Sequence, residues 1–154
     1  MIEEGGSEDE AVAALLHDIV EDQGGSARLE EVRERFGDRV AMIVEGCSDR
    51  IDEQDELPWR ERKEHYLAEL DSHPPEVLIV SLADKLYNAR AVERDYRTFG
   101  EKFWGRFNGG RAGTLWYYTA LSTAFDRLMP DCRMTGELRA VVVTLNDAAA
   151  SAQH

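Results

Sequence analysis

Apolar residues recur at helical spacing along almost the whole chain, and the breaks between the periodic stretches are sharp. The first stretch runs from Glu8 to Asp22. Val12, Leu15, Leu16 and Ile19 follow i, i+3, i+4, i+7 and make one apolar stripe. At about 100° per residue, His17, Asp18, Glu21 and Asp22 fall on the opposite side. Ser7, with Glu10 three positions on, predicts a capping box at its start, and Gln23-Gly24-Gly25 ends it. Ser26 is placed to cap a second helix, Leu29 to Phe36, which Gly37 breaks. Asp38 is placed to cap a third, Arg39 to Cys47, with Val40, Ile43 and Val44 on its apolar side.

Ser48 to Leu57 is polar and reads as a loop. Pro58 suits the first turn of a helix, predicted from Pro58 to Leu70 with Trp59, Tyr66, Leu67 and Leu70 inward. Asp71-Ser72-His73-Pro74-Pro75 is a clear break. Glu76 to about Phe99 follows as one long segment. Val77-Leu78-Ile79-Val80 suits a strand locally, but the pattern continues through Leu82, Ala83, Leu86, Ala89 and Val92 without a breaker, which favours a helix that is apolar almost all round and buried. Glu101 to Arg111, with Gly105, Gly109 and Gly110, reads as a loop. Thr114 to Met129 is an aromatic-rich helix. Thr135 is placed to cap the last helix, Gly136 to about Ala150, with Leu138, Val141, Val142 and Leu145 inward. The expected fold is all-α, a single domain over residues 1–154 with a frayed start at 1–7 and a tail at 148–154.

Composition narrows the function. The chain has 154 residues, 43% of them apolar, enough for a real core. Its 31 acidic residues against 18 basic ones leave a net charge of −13. Binding to a nucleic-acid backbone requires basic patches, so that class is disfavoured; a small phosphorylated substrate is not, because a bound cation can hold it. No apolar run approaches the ~20 residues of a membrane span. The start lacks a basic segment followed by an apolar core, so no signal peptide is expected. Cys47 and Cys132 do not form a C-x-x-C pair, which fits a reducing compartment and a cytoplasmic protein.

Candidate chemistry sits in two segments. Imidazole and carboxylate both ligate catalytic divalent cations, so His17 and Asp18 are candidate metal ligands. Adjacent helical residues point about 100° apart, so the two require a further ligand from another element. Without one, they are a solvated polar face. Asp84 supplies a reason to look further. It lies in an apolar run, and a buried carboxylate without compensation is costly. Ser81, Asp84 and Asn88 at i, i+3, i+7 give that helix one polar stripe. A salt bridge from Asp84 to Lys85 or Arg90 is the alternative, but both bases point to other sides of the helix, with stems long enough to reach water. A metal shared by His17, Asp18 and Asp84 accounts for both segments. Glu21 and Asp22, one turn beyond His17 and Asp18, are placed to orient water and move protons beside such a metal; without the metal they are ordinary surface charge.

His17-Asp18-x-x-Glu21-Asp22, followed by Leu82-Ala83-Asp84-Lys85-Leu86-x-Asn88, resembles the HD-domain metal-dependent phosphohydrolases. It resembles in particular their guanosine polyphosphate hydrolase branch, the hydrolase domain of RelA/SpoT proteins and the small SpoT homologues of the stringent response. The resemblance runs from about Ala11 to Phe125 and takes in Phe36-Gly37, Val44 to Asp49 and Arg62-Lys63. It implies an HD-type helical bundle in which His17, Asp18 and Asp84 hold a divalent metal, usually Mn²⁺. It further implies that Glu21 and Asp22 assist the attacking water and that Asn88 meets the nucleotide near its ribose. Lys63 and Arg62 are looser matches to residues near substrate phosphate, and ordinary surface charge is the plainer reading of both. Tyr117 and Tyr118 are candidate pocket walls or simple core.

The family carries a helical region ahead of its HD doublet, with a further histidine ligand and basic residues. Here only 16 residues precede His17 and none is histidine. His65 and His73 do not stand where that ligand belongs. Two readings follow: an N-terminally shortened copy, with Val12, Leu15 and Leu16 as the surface the absent helices would cover, or a short protein with a weakened site. The expected activity is that of a guanosine-3′,5′-bis(diphosphate) 3′-pyrophosphohydrolase acting on a small nucleotide. The alternatives are an HD phosphohydrolase for another nucleotide and a non-catalytic helical protein that works through partner binding.

Overall fold

The computed structural model describes residues 8–10, 12–13, 25–47 and 57–152. Among these every regular element is helical and none is a strand, so the fold is all-α. Residues 8–10 and 12–13 are helical. The helices that follow are α1 (Gly25–Phe36), α2 (Asp38–Cys47), α3 (Trp59–Glu69), α4 (Pro75–Phe99), α5 (Gly110–Leu128) and α6 (Arg133–Ser151). Two 3₁₀ helices, Leu70–Ser72 and Gly100–Arg106, follow α3 and α4. The described residues form two compact units that divide between Asp84 and Lys85, inside the unbroken helix α4.

In the first unit α1 and α2 pack as a pair. Gly37 joins them at φ 95°, a left-handed conformation that glycine adopts without a Cβ clash. Leu29 and Val32 of α1, Val40, Ile43, Val44 and Cys47 of α2, and Val77 and Val80 of α4 form one buried cluster with Ala13. Val12, read from the sequence as exposed surface, packs half-buried against that cluster; Leu15 and Leu16 lie outside the described residues. Arg39 ties residues 8–10 to α2 through ion pairs to Asp9 (3.0 Å) and Glu10 (3.5 Å). Tyr66 and Leu70 are buried, as their spacing predicts, while Trp59 and Leu67 are only half-buried.

Boundaries differ where a single residue type misled. Ser26 and Asp38 lie inside α1 and α2 and do not precede them. Pro58 is the N-cap of α3, with φ −52° and ψ 148°, and not its first helical residue. Of the polar loop expected between Ser48 and Leu57, only Leu57 lies among the described residues. Val77-Leu78-Ile79-Val80 is helical, as the continuing period predicts.

In the second unit α5 and α6 pack against each other. Leu121 and Phe125 of α5 and Leu138 and Leu145 of α6 are fully buried. Thr135 does not cap α6, which begins two residues earlier at Arg133. Its hydroxyl instead donates to the Met129 carbonyl at 2.7 Å, satisfying an acceptor just past the end of α5. The expected loop from Glu101 to Arg111 is largely the 3₁₀ helix Gly100–Arg106, which buries Phe103 and Trp104. Two aromatic side chains that must leave water are enough to organise a glycine-containing stretch. Helix α4 is apolar all round only at its start. From Tyr87 onward it is amphipathic, with Tyr87 72% exposed and Ala89, Val92 and Tyr96 buried.

Candidate functional site

The polar stripe of α4 forms as its spacing requires. Ser81 is 1% exposed, while Asp84 and Asn88 are half-buried. Ser81 reaches α3, where its hydroxyl and that of Tyr66 share a short hydrogen bond between two buried groups. The two bases that competed for Asp84 on paper behave differently from each other. Arg90 is exposed and pairs with Glu137 at 3.4 Å. Lys85 does not snorkel: it is 8% exposed, because its stem lies on the side of α4 that also buries Leu82, Leu86 and Ala89. Neither Asp84 nor Lys85 is without an interaction in the fold.

Arg62 and Lys63 sit mid-way along α3 and are both half-buried. Lys63 has a partner. The Nε of Arg62 is buried and has no hydrogen-bond partner among the described residues. His17, Asp18, Glu21 and Asp22 lie outside the described residues. Among the described residues no three histidine, cysteine, aspartate or glutamate side chains converge as a metal site, so Asp84 is the member of the expected ligand set whose position is seen.

Asn88 opens onto a cleft of about 460 Å³ in the second unit. Asn88, Ala91, Val92 and Asp95 line it from α4, Phe103 and Arg106 from the 3₁₀ helix, and Phe107 and Tyr118 from the segment beyond. Phe103 and Phe107 meet edge-to-face at 4.9 Å. The Arg106 guanidinium lies 4.7 Å from the Phe99 ring centre and 5.9 Å from that of Phe103, cation–π contacts that hold it at the rim. Its volume lies in the range of small-molecule pockets, and its walls mix aromatic rings with a few polar groups. Tyr118 is thus both core, at 8% exposure, and wall; Tyr117 is core.

Of the residues lining this cleft, Asn88 and Tyr118 are candidates from the sequence, whereas Asp95, Phe103, Arg106 and Phe107 are not. The signal was available: three aromatics within five residues, Phe103, Trp104 and Phe107, are too many for a solvated loop.

The sequence model of the HD domain matches residues 1–114. The chain belongs to the HD-domain family. Among curated relatives of this HD-domain chain, it is 42% identical over 82 residues to a mouse protein named guanosine-3′,5′-bis(diphosphate) 3′-pyrophosphohydrolase MESH1, covering 53% of this chain and 42% of that one. It is 37% identical over 83 residues to the Aquifex aeolicus protein named guanosine-3′,5′-bis(diphosphate) 3′-pyrophosphohydrolase, covering 53% of this chain and 11% of that one. The chain thus spans less than half the length of either. Among solved structures, lmo0812 from Listeria monocytogenes superimposes with a TM-score of 0.78 at 28% identity, over 93% of this chain and 88% of that one.

Proposed function

We propose that this HD-domain chain is a divalent-metal-dependent phosphohydrolase for a guanosine polyphosphate, cleaving the 3′-diphosphate to release pyrophosphate. The observation that carries the reading is its similarity, over about half its length, to relatives named for that reaction. The position of Asp84 and Asn88 one turn apart on α4, with Asn88 facing a ligand-sized cleft, supports it.

In this reading His17, Asp18 and Asp84 hold the metal, and manganese is the ion we assign. The donor set suits it: one imidazole and two carboxylates, a mixture that first-row divalent ions accept. Bound there, such an ion supplies Lewis acidity and makes water more acidic. Glu21 and Asp22 orient the attacking water and take its proton. The water oxygen bonds to the phosphorus attached to the ribose 3′ oxygen, that P–O bond breaks, and the proton ends on the ribose oxygen. Asn88 meets the nucleotide near its ribose. Arg62 and Lys63 are assigned to the phosphate tail; the uncompensated Nε of Arg62 is the feature that supports this.

Among the described residues Cys47, buried, and Cys132, half-buried, form no disulfide with each other, which supports a cytoplasmic protein. Among the described residues no helix is long and apolar enough to cross a membrane.

The test is direct. Purified protein with Mn²⁺ and guanosine-3′,5′-bis(diphosphate), resolved by anion exchange, is expected to yield GDP and pyrophosphate in equal amounts, and His17→Ala is expected to lose the activity. No product with Mn²⁺, Co²⁺ or Mg²⁺ overturns the proposal.

A further inference from the structure

The two units of the chain differ in charge. Residues 1–84 carry eight basic and 24 acidic side chains, and residues 85–154 carry ten basic and seven acidic ones. Their net charges are −16 and +3, which make up the −13 of the chain. Part of the basic excess of the second unit is displayed on one side of α4. Tyr87, Arg90, Arg94 and Arg97 are all exposed there, and at about 100° per residue they fall within roughly 80° of one another. A tyrosine left in water among three arginines is the residue mix of a protein–protein contact, where aromatic residues and Arg are enriched and Lys is depleted.

The arginines are only loosely held within their unit. Arg90 pairs with Glu137 at 3.4 Å, Arg94 with Asp95 at 3.4 Å and Arg97 with Glu93 at 2.6 Å, and each arginine side chain is more than half exposed. Exposed pairs of this kind contribute little and exchange for better partners. A complementary stripe lies on α2, in the acidic unit. Asp38, Met42 and Glu45 are exposed on one side of that helix, at i, i+4 and i+7. Arg90, Arg94 and Arg97 have the same spacing, so both stripes span about 10 Å. Steps of four and three residues are those of a seam along which two helices pack side by side. The ends of the two stripes carry opposite charge. In the middle, the thioether of Met42 matches the apolar stem of Arg94.

We propose that the Tyr87–Arg97 face of α4 is a docking surface for a second copy of this chain, and that the acidic stripe Asp38–Met42–Glu45 on α2 of that copy occupies it. The contact is heterologous: the basic face of one molecule meets a different, acidic face of the next. Charge complementarity and matched spacing on the same chain single out this occupant. A nucleic-acid backbone is repelled by the 16 excess acids of residues 1–84, whereas a second copy brings those acids as the counter-charge. The seam is exposed and polar, so the attraction is electrostatic and sensitive to salt. This goes beyond the proposed function and shares no residue with the site assigned there.

The experiment is sedimentation equilibrium of the full chain over a range of concentrations. Salt is set at ~0.1 M and ~1 M, between which the Debye length falls from about 10 Å to about 3 Å. The parent is expected to gain mass with concentration at the lower salt, and its apparent Kd to weaken about tenfold or more at the higher. Arg90→Glu/Arg94→Glu and Asp38→Lys/Glu45→Lys, each with an unchanged circular dichroism spectrum, are each expected to remain monomeric. Mixed in equal amounts they are expected to associate, because each reversed face then meets one of opposite charge. That rescue is not produced by damage to the fold of either variant. A parent that is monomeric throughout, association that ignores salt, a folded variant that associates as the parent does, or folded variants that do not associate when mixed overturns the proposal. So does a monomeric parent that binds RNA or anionic vesicles through these arginines. The parent's response to concentration and salt stands without the variants.

Discussion

Tyr66 and Ser81 join α3 to α4 through a hydrogen bond between two buried hydroxyls, one turn before Asp84. Ser81 is the first residue of the polar stripe on α4, so this contact fixes the rotation of the helix that carries Asp84. Tyr66→Phe leaves the ring in place and leaves the Ser81 hydroxyl buried without Tyr66. The expected loss is about 1–2 kcal/mol of unfolding free energy, read from the midpoint of urea denaturation. Tyr66→Phe/Ser81→Ala, which removes both hydroxyls, is expected to recover part of that loss.

Gly46 sets how closely α2 approaches α4. A Cβ at this position would lie 2.7 Å from Cγ1 and 3.2 Å from Cγ2 of Val77, which is 1% exposed and β-branched. Alanine improves helix propensity by up to about 1 kcal/mol, but the overlap costs about 1–3 kcal/mol. Gly46→Ala is therefore expected to lower the melting temperature. In Gly46→Ala/Val77→Ala the two changes share one space, so their effects are expected to sum to less than the separate losses.

Metal binding has a thermodynamic signature independent of catalysis. If His17, Asp18 and Asp84 hold a divalent ion, saturating Mn²⁺ stabilises the folded chain by about 2.7 kcal/mol at a hundredfold excess over Kd. Differential scanning fluorimetry is expected to show a rise in Tm with Mn²⁺ in the parent and none in Asp84→Ala. A parent that does not respond to Mn²⁺ counts against the metal site.

Asp126 and Arg139 make a doubly hydrogen-bonded pair between α5 and α6. The Arg139 hydrogen bonds hold the Asp126 carboxyl below its ordinary value of 3.8, against a smaller opposing effect of desolvation. The folded-state value is depressed, so the contribution to stability is present above the unfolded value and is lost as pH falls through the folded one. Both side chains are more than a third exposed, which limits the contribution to below about 1 kcal/mol. Asp126→Asn is expected to be less stable than the parent at pH 7 and equal to it at strongly acidic pH, provided the fold persists there; urea midpoints across pH measure the difference.

Much of this protein is written in local pattern. The helical period through Val77-Val80 and on to Val92 outweighed a strand-like run, because a helix needs only neighbours along the chain. The HD doublet and the Leu82 to Asn88 motif carry the resemblance to the family. Tyr66, Leu70, Leu138 and Leu145 are buried where their periodicity puts them.

What the pattern lacked was the environment. Ser26, Asp38 and Thr135 have capping side chains, yet each lies inside its helix, since a cap is chosen by where the backbone turns. The stretch after Phe99 has loop-forming glycines but folds as a 3₁₀ helix, because Phe103 and Trp104 find an interior to enter. Lys85 reads as a side chain able to reach water and is buried instead. The cleft is the clearest case. Asn88 and Asp95 on one helix, Arg106 on the next element and Tyr118 on α5 are thirty residues apart end to end, and no local period relates them. Residue types and spacing determined the helices, and two motifs carry the resemblance to the family; packing between distant elements decided which side chains share a pocket.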